Sequence, residues 1–139
     1  MEKTLHLNLK KKWFDMIATG EKKEEYREVK EFYIPRLLEV VKPLHLPMFS
    51  INYNKLNDIF WFCAGYKKNR HKGLEYLIKE GVLNYKEYDT VTFKNGYAKD
   101  ARTITLKLNG VANGTAKPEW SDNWQGQVFI IKLGDILTQ

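Results

Sequence analysis

The chain has 139 residues, enough for one domain, with 43% hydrophobic residues and a net charge of +6 from 23 Lys+Arg against 17 Asp+Glu. That apolar content supports a real core and argues against a disordered chain. Cys63 is the only cysteine, so neither an intrachain disulfide nor a four-cysteine zinc site can form. The basic balance is compatible with a polyanionic partner such as RNA or DNA, although small proteins are often basic for solubility alone.

In chain order, "TLHLNLK" (residues 4–10) alternates. Leu5, Leu7 and Leu9 share one face, His6 and Asn8 the other, as in a half-buried strand. "KKKWFDMIATG" changes period: Trp13, Met16 and Ile17 fall at helical spacing, and Gly20 stands where a left-handed C-terminal cap is expected. "KEEYREV" then reads as a second strand. "PRLLEVV" fits a helix with Pro35 in its first turn. Pro43 and Pro47 mark "KPLHLPMFS" as a loop. "YNKLNDIFWFCAGY" has Leu56, Ile59, Phe60 and Cys63 at helical spacing, "KKNRHKG" (67–73) reads as a basic loop, and "LEYLIKEGV" as a short helix stopped at Gly81.

Strand character returns at "YDTVTFKNGY", where Asn95-Gly96 is a hairpin signal. "RTITLKLNGV" alternates on Ile104, Leu106 and Leu108. "ANGTAKPEWSDNWQG" has no period and reads as a loop, and "QVFIIKLGDIL" is apolar enough to be buried on both faces. The expected fold is α+β in one domain, 1–139. A small closed or partly closed mixed β-barrel of about five or six strands carries a short helix after its first strand. A helical insertion occupies about 38–84.

No window reaches the roughly 18 apolar residues of a membrane span, and the alternating start is unlike a signal peptide. The expectation is a cytoplasmic protein without a membrane partner. Cys63 lies in "DIFWFCAG", which favours an inert buried thiol. His6, His45 and His71 show no metal-ligand spacing, and no dinucleotide or P-loop glycine pattern occurs. No metal and no cofactor are expected.

The charged run "GEKKEEYRE" (20–28) is the most informative stretch. On a strand, Glu25 and Arg27 share a face and Tyr26 takes the other. Lys22 is off-parity and can join Glu25 and Arg27 only from the preceding turn, where Gly20 places it. Lys and Arg together offer donors to phosphate or carbonyl oxygen, and a Glu between them fixes their geometry. The bland alternative is a solvated ion-pair ladder of little energetic worth. A Lys beside carboxylates keeps its proton; acting as a nucleophile would require desolvation or a second cation nearby. Lys67, Lys68, Arg70 and Lys72 form a weaker candidate for phosphate contact. Trp120, four residues from Trp124 in a polar loop, either stacks on a base or anchors the loop to the core, and Tyr97 is a further possible stacking residue.

Gly20, Lys22, Glu25 and Arg27 fit the pattern G-x-K-x-x-E-x-R, placed after a strand and a short helix. In this the chain resembles the ASCH domain family, bacterial and phage type, over residues 3–37 and 85–135. The resemblance implies a PUA-like β-barrel, a cleft lined by the motif, and a role in binding RNA or a nucleotide-like ligand. Some similar proteins hydrolyse acetylated cytidine nucleosides with a Lys and a Thr in this motif. Lys22 matches that Lys, whereas Glu25 stands at the Thr position, which tilts the reading towards binding.

Three functions follow as expectations. The first is a binding module for RNA or a nucleotide-like ligand, with Gly20, Lys22, Glu25, Tyr26, Arg27 and Trp120 at the ligand. The second is a hydrolase, a nucleoside amidohydrolase or a ribonuclease, with Lys22 and Glu25 catalytic; no His pair supports a familiar acid–base cleavage of RNA. The third is a protein-interaction domain using "IFWF" in the insertion. Oligomeric state is not legible in the sequence.

Overall fold

The computed structural model describes residues 2–46, 51–60, 70–122, 124 and 126–139, and for residues 51, 70 and 71 the backbone alone. In chain order the elements are β1 (Thr4–Leu9), α1 (Lys11–Ala18), β2 (Glu24–Glu28), α2 (Ile34–Leu37), β3 (Leu38–Val40), β4 (Leu44–Leu46), β5 (Ile51–Tyr53), α3 (Arg70–Lys79), β6 (Leu83–Tyr85), β7 (Thr90–Asn95), β8 (Thr103–Thr115) and β9 (Gln127–Thr138). Strands dominate a mixed α+β architecture. Two units share the chain: Met1–Arg27 with Glu87–Gln139, and the intervening Glu28–Lys86. Among the described residues no helix is long and apolar enough to cross a membrane.

The first unit is built on a five-stranded sheet of order β1-β7-β8-β9-β2, curled into a half-barrel. β1 runs parallel to β7, and β7, β8 and β9 are antiparallel neighbours. The leucine alternation explains the register. Leu5 lies beside Val91 and Val91 beside Leu106; Leu7 lies beside Phe93 and Phe93 beside Ile104. All six are buried, each contributing about 2 kcal/mol through removal from water. The alternate positions carry hydroxyl pairs, Thr4 with Thr90 at 2.8 Å and Thr92 with Thr105 at 2.7 Å. α1 buries Trp13, Phe14 and Ile17 and packs on β7.

Two local expectations change. Ala112–Thr115, read as loop, continue β8 and pair with Gln127–Ile130. The strand shifts register between Thr105 and Val111, and beyond the shift Asn113, Gly114 and Thr115 offer no apolar side chain to mark a period. The lack of a side chain at Gly114 permits the close approach there, since a Cβ would lie 2.9 Å from Ile130 Cδ1. Asn95-Gly96 opens a longer connection over 96–102 instead of a two-residue turn, and the Gly96 N–H donates to the Leu9 carbonyl at 2.9 Å.

In the second unit α2 is a single turn with Pro35 at its start, running directly into β3. β3 pairs antiparallel with β6, and β4 with β5. Among the described residues the stretch 38–85, expected as a helical insertion over about 38–84, therefore also contains four three-residue strands. Leu44–Leu46, expected to be loop because Pro43 and Pro47 flank it, is one of them; strands this short leave no readable period. Residues 56–60 are helical, with Ile59 and Phe60 fully buried. Residues 70–73, expected as loop, begin α3, because Arg and Lys are good helix formers and Leu74 and Leu77 bury its inner face. The chain turns out of this helix at Gly81. Trp61, Cys63, Lys67 and Lys68 lie outside the described residues, and with them half of the "IFWF" patch.

Candidate functional site

The site lies in the first unit, where α1 ends and β2 begins. Thr19 and Gly20 close the helix onto the carbonyls of Asp15 and Ile17. Gly20 has φ +82°, a left-handed conformation that costs other residues about 1 kcal/mol or more. The reversal lets the Lys22 N–H return to the Met16 carbonyl at 3.0 Å, which fixes Lys22 in the turn just ahead of β2.

From there the Lys22 ammonium reaches groups that lie on opposite faces of β2. It is 3.4 Å from Glu25 Oε1. It also sits over two aromatic rings, 4.6 Å from the Trp13 centroid and 4.9 Å from that of Tyr26. A further bond goes to the backbone carbonyl of Trp120. The other carboxylate oxygen of Glu25, Oε2, accepts from Arg27 at 2.6 Å, and the same guanidinium nitrogen donates to the Asn8 carbonyl at 2.7 Å. The side chains of Lys22, Glu25 and Arg27 are 1%, 7% and 13% exposed. Lys22 and Glu25 are therefore buried and Arg27 is partly so, an ionic trio and not a solvated ladder.

Burial pushes the Lys22 ammonium below the ordinary lysine range; Glu25 pulls it back up by charge and hydrogen bond, and Arg27 adds to the lowering. Desolvation and a neighbouring cation, the two conditions under which a lysine loses its proton more readily, are both present.

Tyr26 faces away from Glu25 and Arg27. Its ring joins Ala116 and Val128 in a buried cluster against which Trp120, Trp124 and Ile130 pack. Its hydroxyl donates to Glu24 Oε1 at 2.6 Å and accepts the Lys117 N–H at 3.2 Å. Burial and the bond to Glu24 push its ionisation well above the ordinary tyrosine value. Trp120 ends a 3-10 turn, Pro118–Trp120; its ring is partly buried against the Tyr26 cluster and lies under the Lys117 ammonium at 4.5 Å.

The structure thus brings together Gly20, Lys22, Glu25, Tyr26, Arg27 and Trp120. It adds Asn8, Trp13 and Lys117, which the sequence did not single out. Asn8 acts through its backbone carbonyl, so its side chain carries no signal. Trp13 was legible only as a core residue of α1. Lys72 is exposed on α3, in the other unit, and the side chain of Arg70 is outside the description. His6 is exposed and His45 is exposed beside Asn52. Tyr97 is 87% exposed. Among the described residues no cluster of His, Cys, Asp and Glu could hold a metal.

Comparison with protein-family models, with curated proteins and with solved structures finds no match for this chain.

Proposed function

We propose that the first unit is an ASCH-type, PUA-like module that binds RNA or a nucleotide-like ligand in the cytoplasm at the Lys22–Glu25–Arg27 trio. One observation carries this reading: a lysine and a carboxylate are buried together, with the Lys22 ammonium over the rings of Trp13 and Tyr26 and the Arg27 guanidinium on the other oxygen of the carboxylate. Burying such groups is a poor route to stability, because desolvation offsets most of the attraction. Buried charges with perturbed proton affinity concentrate instead at functional sites. Lys22 and Arg27 would donate to phosphate or carbonyl oxygen, Glu25 would hold both in place, and the aromatic rings would cover a base.

The test is binding of a labelled oligoribonucleotide across a salt series. Affinity should fall steeply with salt, and Lys22→Ala and Arg27→Ala should each weaken it. No binding at low salt, or binding unchanged from the wild type in both variants, would rule the reading out.

A second reading, hydrolysis of a modified nucleoside amide or of RNA, draws support from the lowered proton affinity of Lys22 beside Glu25. A lysine that gives up its proton readily can serve as a base or nucleophile at a carbonyl. Turnover of acetylcytidine or labelled RNA by the wild type and not by Lys22→Ala would favour this reading over binding alone.

A further inference from the structure

Lys22 is only 2% exposed, yet a ligand-binding lysine must meet its ligand. The described groups around its ammonium are the Glu25 carboxylate, the rings of Trp13 and Tyr26, and the Trp120 carbonyl. The first three belong to α1, β2 and the turn between them. The fourth comes from a separate short segment, Lys117–Asp122, and it is a neutral oxygen acceptor, the kind of group a nucleobase carbonyl presents.

We propose that Lys117–Asp122 is an autoinhibitory strap. Its Trp120 carbonyl occupies the position on Lys22 that a ligand oxygen takes, and binding requires the strap to be displaced. This rests on the reading of the trio as a ligand site.

Among the described residues the strap is held by three polar ties and by the packing of the Trp120 ring on the Tyr26 cluster. Besides the Lys22 bond, the Lys117 N–H is held by the Tyr26 hydroxyl, and Asp122 pairs with Lys10 at 3.5 Å with both side chains largely exposed. An exposed pair of this kind holds weakly. Internally the strap has the Trp120 N–H on the Lys117 carbonyl, and the Ser121 hydroxyl on the same carbonyl. These internal bonds would let it move as a unit. The Trp120 ring travels with it, so displacement would also uncover the Tyr26 cluster, an apolar surface for a flat ligand.

The preferred ligand is accordingly one that offers a carbonyl oxygen next to a flat ring, so that it replaces both the Trp120 carbonyl and the Trp120 indole. A bare phosphate replaces only the first.

The test separates access from binding. Acetylation of lysines by a water-soluble acylating reagent, read by mass spectrometry, reports access to Lys22 without any ligand. In the wild type Lys22 should label far more slowly than the exposed Lys99. Tyr26→Phe removes the hydroxyl tie at Lys117 and keeps the ring, and should raise the Lys22 rate about fivefold, the effect of one lost hydrogen bond, with Lys99 unchanged. Lys10→Ala, which frees the other end and keeps the Asp122 charge that acts on Lys22, should raise it less. If circular dichroism shows that Tyr26→Phe fails to fold, the Lys10→Ala rate decides.

Cytidine 5′-monophosphate and an oligouridylate are then added separately, with hydrogen exchange followed at residues 117–122. Faster exchange on binding supports the strap. A Lys22 rate unchanged in the folded variants overturns it, as does binding of either probe with exchange at 117–122 unaltered. Faster labelling in the variants with no binding of either probe supports the strap and overturns the nucleotide reading instead.

Discussion

The Arg27 guanidinium donates to the backbone carbonyl of Asn8 at 2.7 Å and thereby links the two edge strands of the sheet. β1 and β2 stand at opposite ends of the order β1-β7-β8-β9-β2, so this side chain spans the seam of the half-barrel. The same guanidinium holds Glu25 at 2.6 Å. One residue therefore shapes the site and ties the edges together.

Arg27→Ala should accordingly cost more than a surface substitution. It takes from the buried Glu25 carboxylate one of its two cations, Lys22 remaining at 3.4 Å, and leaves the Asn8 carbonyl without this donor, a combined loss of about 2 kcal/mol. Arg27→Lys restores a charge but not the planar fork, and should recover part of that loss. Urea denaturation of the three proteins measures it; a cost for Arg27→Ala below about 0.5 kcal/mol, typical of an ordinary surface site, would remove Arg27 from the seam.

Lys22 makes stability depend on pH. Burial lowers its folded pKa below the ordinary value of 10.5. As pH rises, the folded chain gives up this proton before the unfolded chain does. Between the folded value and 10.5 the unfolded state holds more protons, so stability rises with pH across that window. The wild type should therefore gain on Lys22→Met as pH approaches about 10. Tyr26 and Tyr85, whose ionisation burial raises above the ordinary 10.0, act the other way above that value, and Lys22→Met retains both. Denaturation curves of the two proteins that stay parallel from neutral pH to this point would contradict the shift.

Gly20→Ala tests the turn that delivers Lys22. The nearest group to an added Cβ is Lys23 Nζ at 3.6 Å, an ordinary contact, so the cost is that of the left-handed backbone alone. A loss of about 1 kcal/mol is expected, seen as a lower denaturation midpoint. An unchanged midpoint would mean that the turn relaxes without strain.

Much of this site was legible because its causes are local. The spacing of Leu5, Leu7 and Leu9 revealed β1, and the change of period at Trp13 revealed α1. Strand parity put Glu25 and Arg27 on one face, and a glycine at a helix end gave Lys22 its place in the turn. What stayed hidden depends on distant chain. The parallel pairing of β1 with β7 joins strands from the two ends of the first unit, and no residue in either announces its partner. The carbonyls of Asn8 and Trp120 could be contributed by any residue type. β4, with its three residues between prolines, is too short to show a period, and the end of β8 at Asn113, Gly114 and Thr115 has no apolar side chain to carry an alternation.

The central claim is that the Lys22–Glu25–Arg27 trio is where ligand binds. Backbone amide chemical shifts of the isotopically labelled whole chain, followed during titration with an oligoribonucleotide at low salt, test it most directly. Shifts should concentrate at Gly20–Arg27 and Lys117–Asp122 and should disappear from both stretches in Lys22→Met. Shifts confined to α3 around Lys72, or none at any residue, would contradict the account.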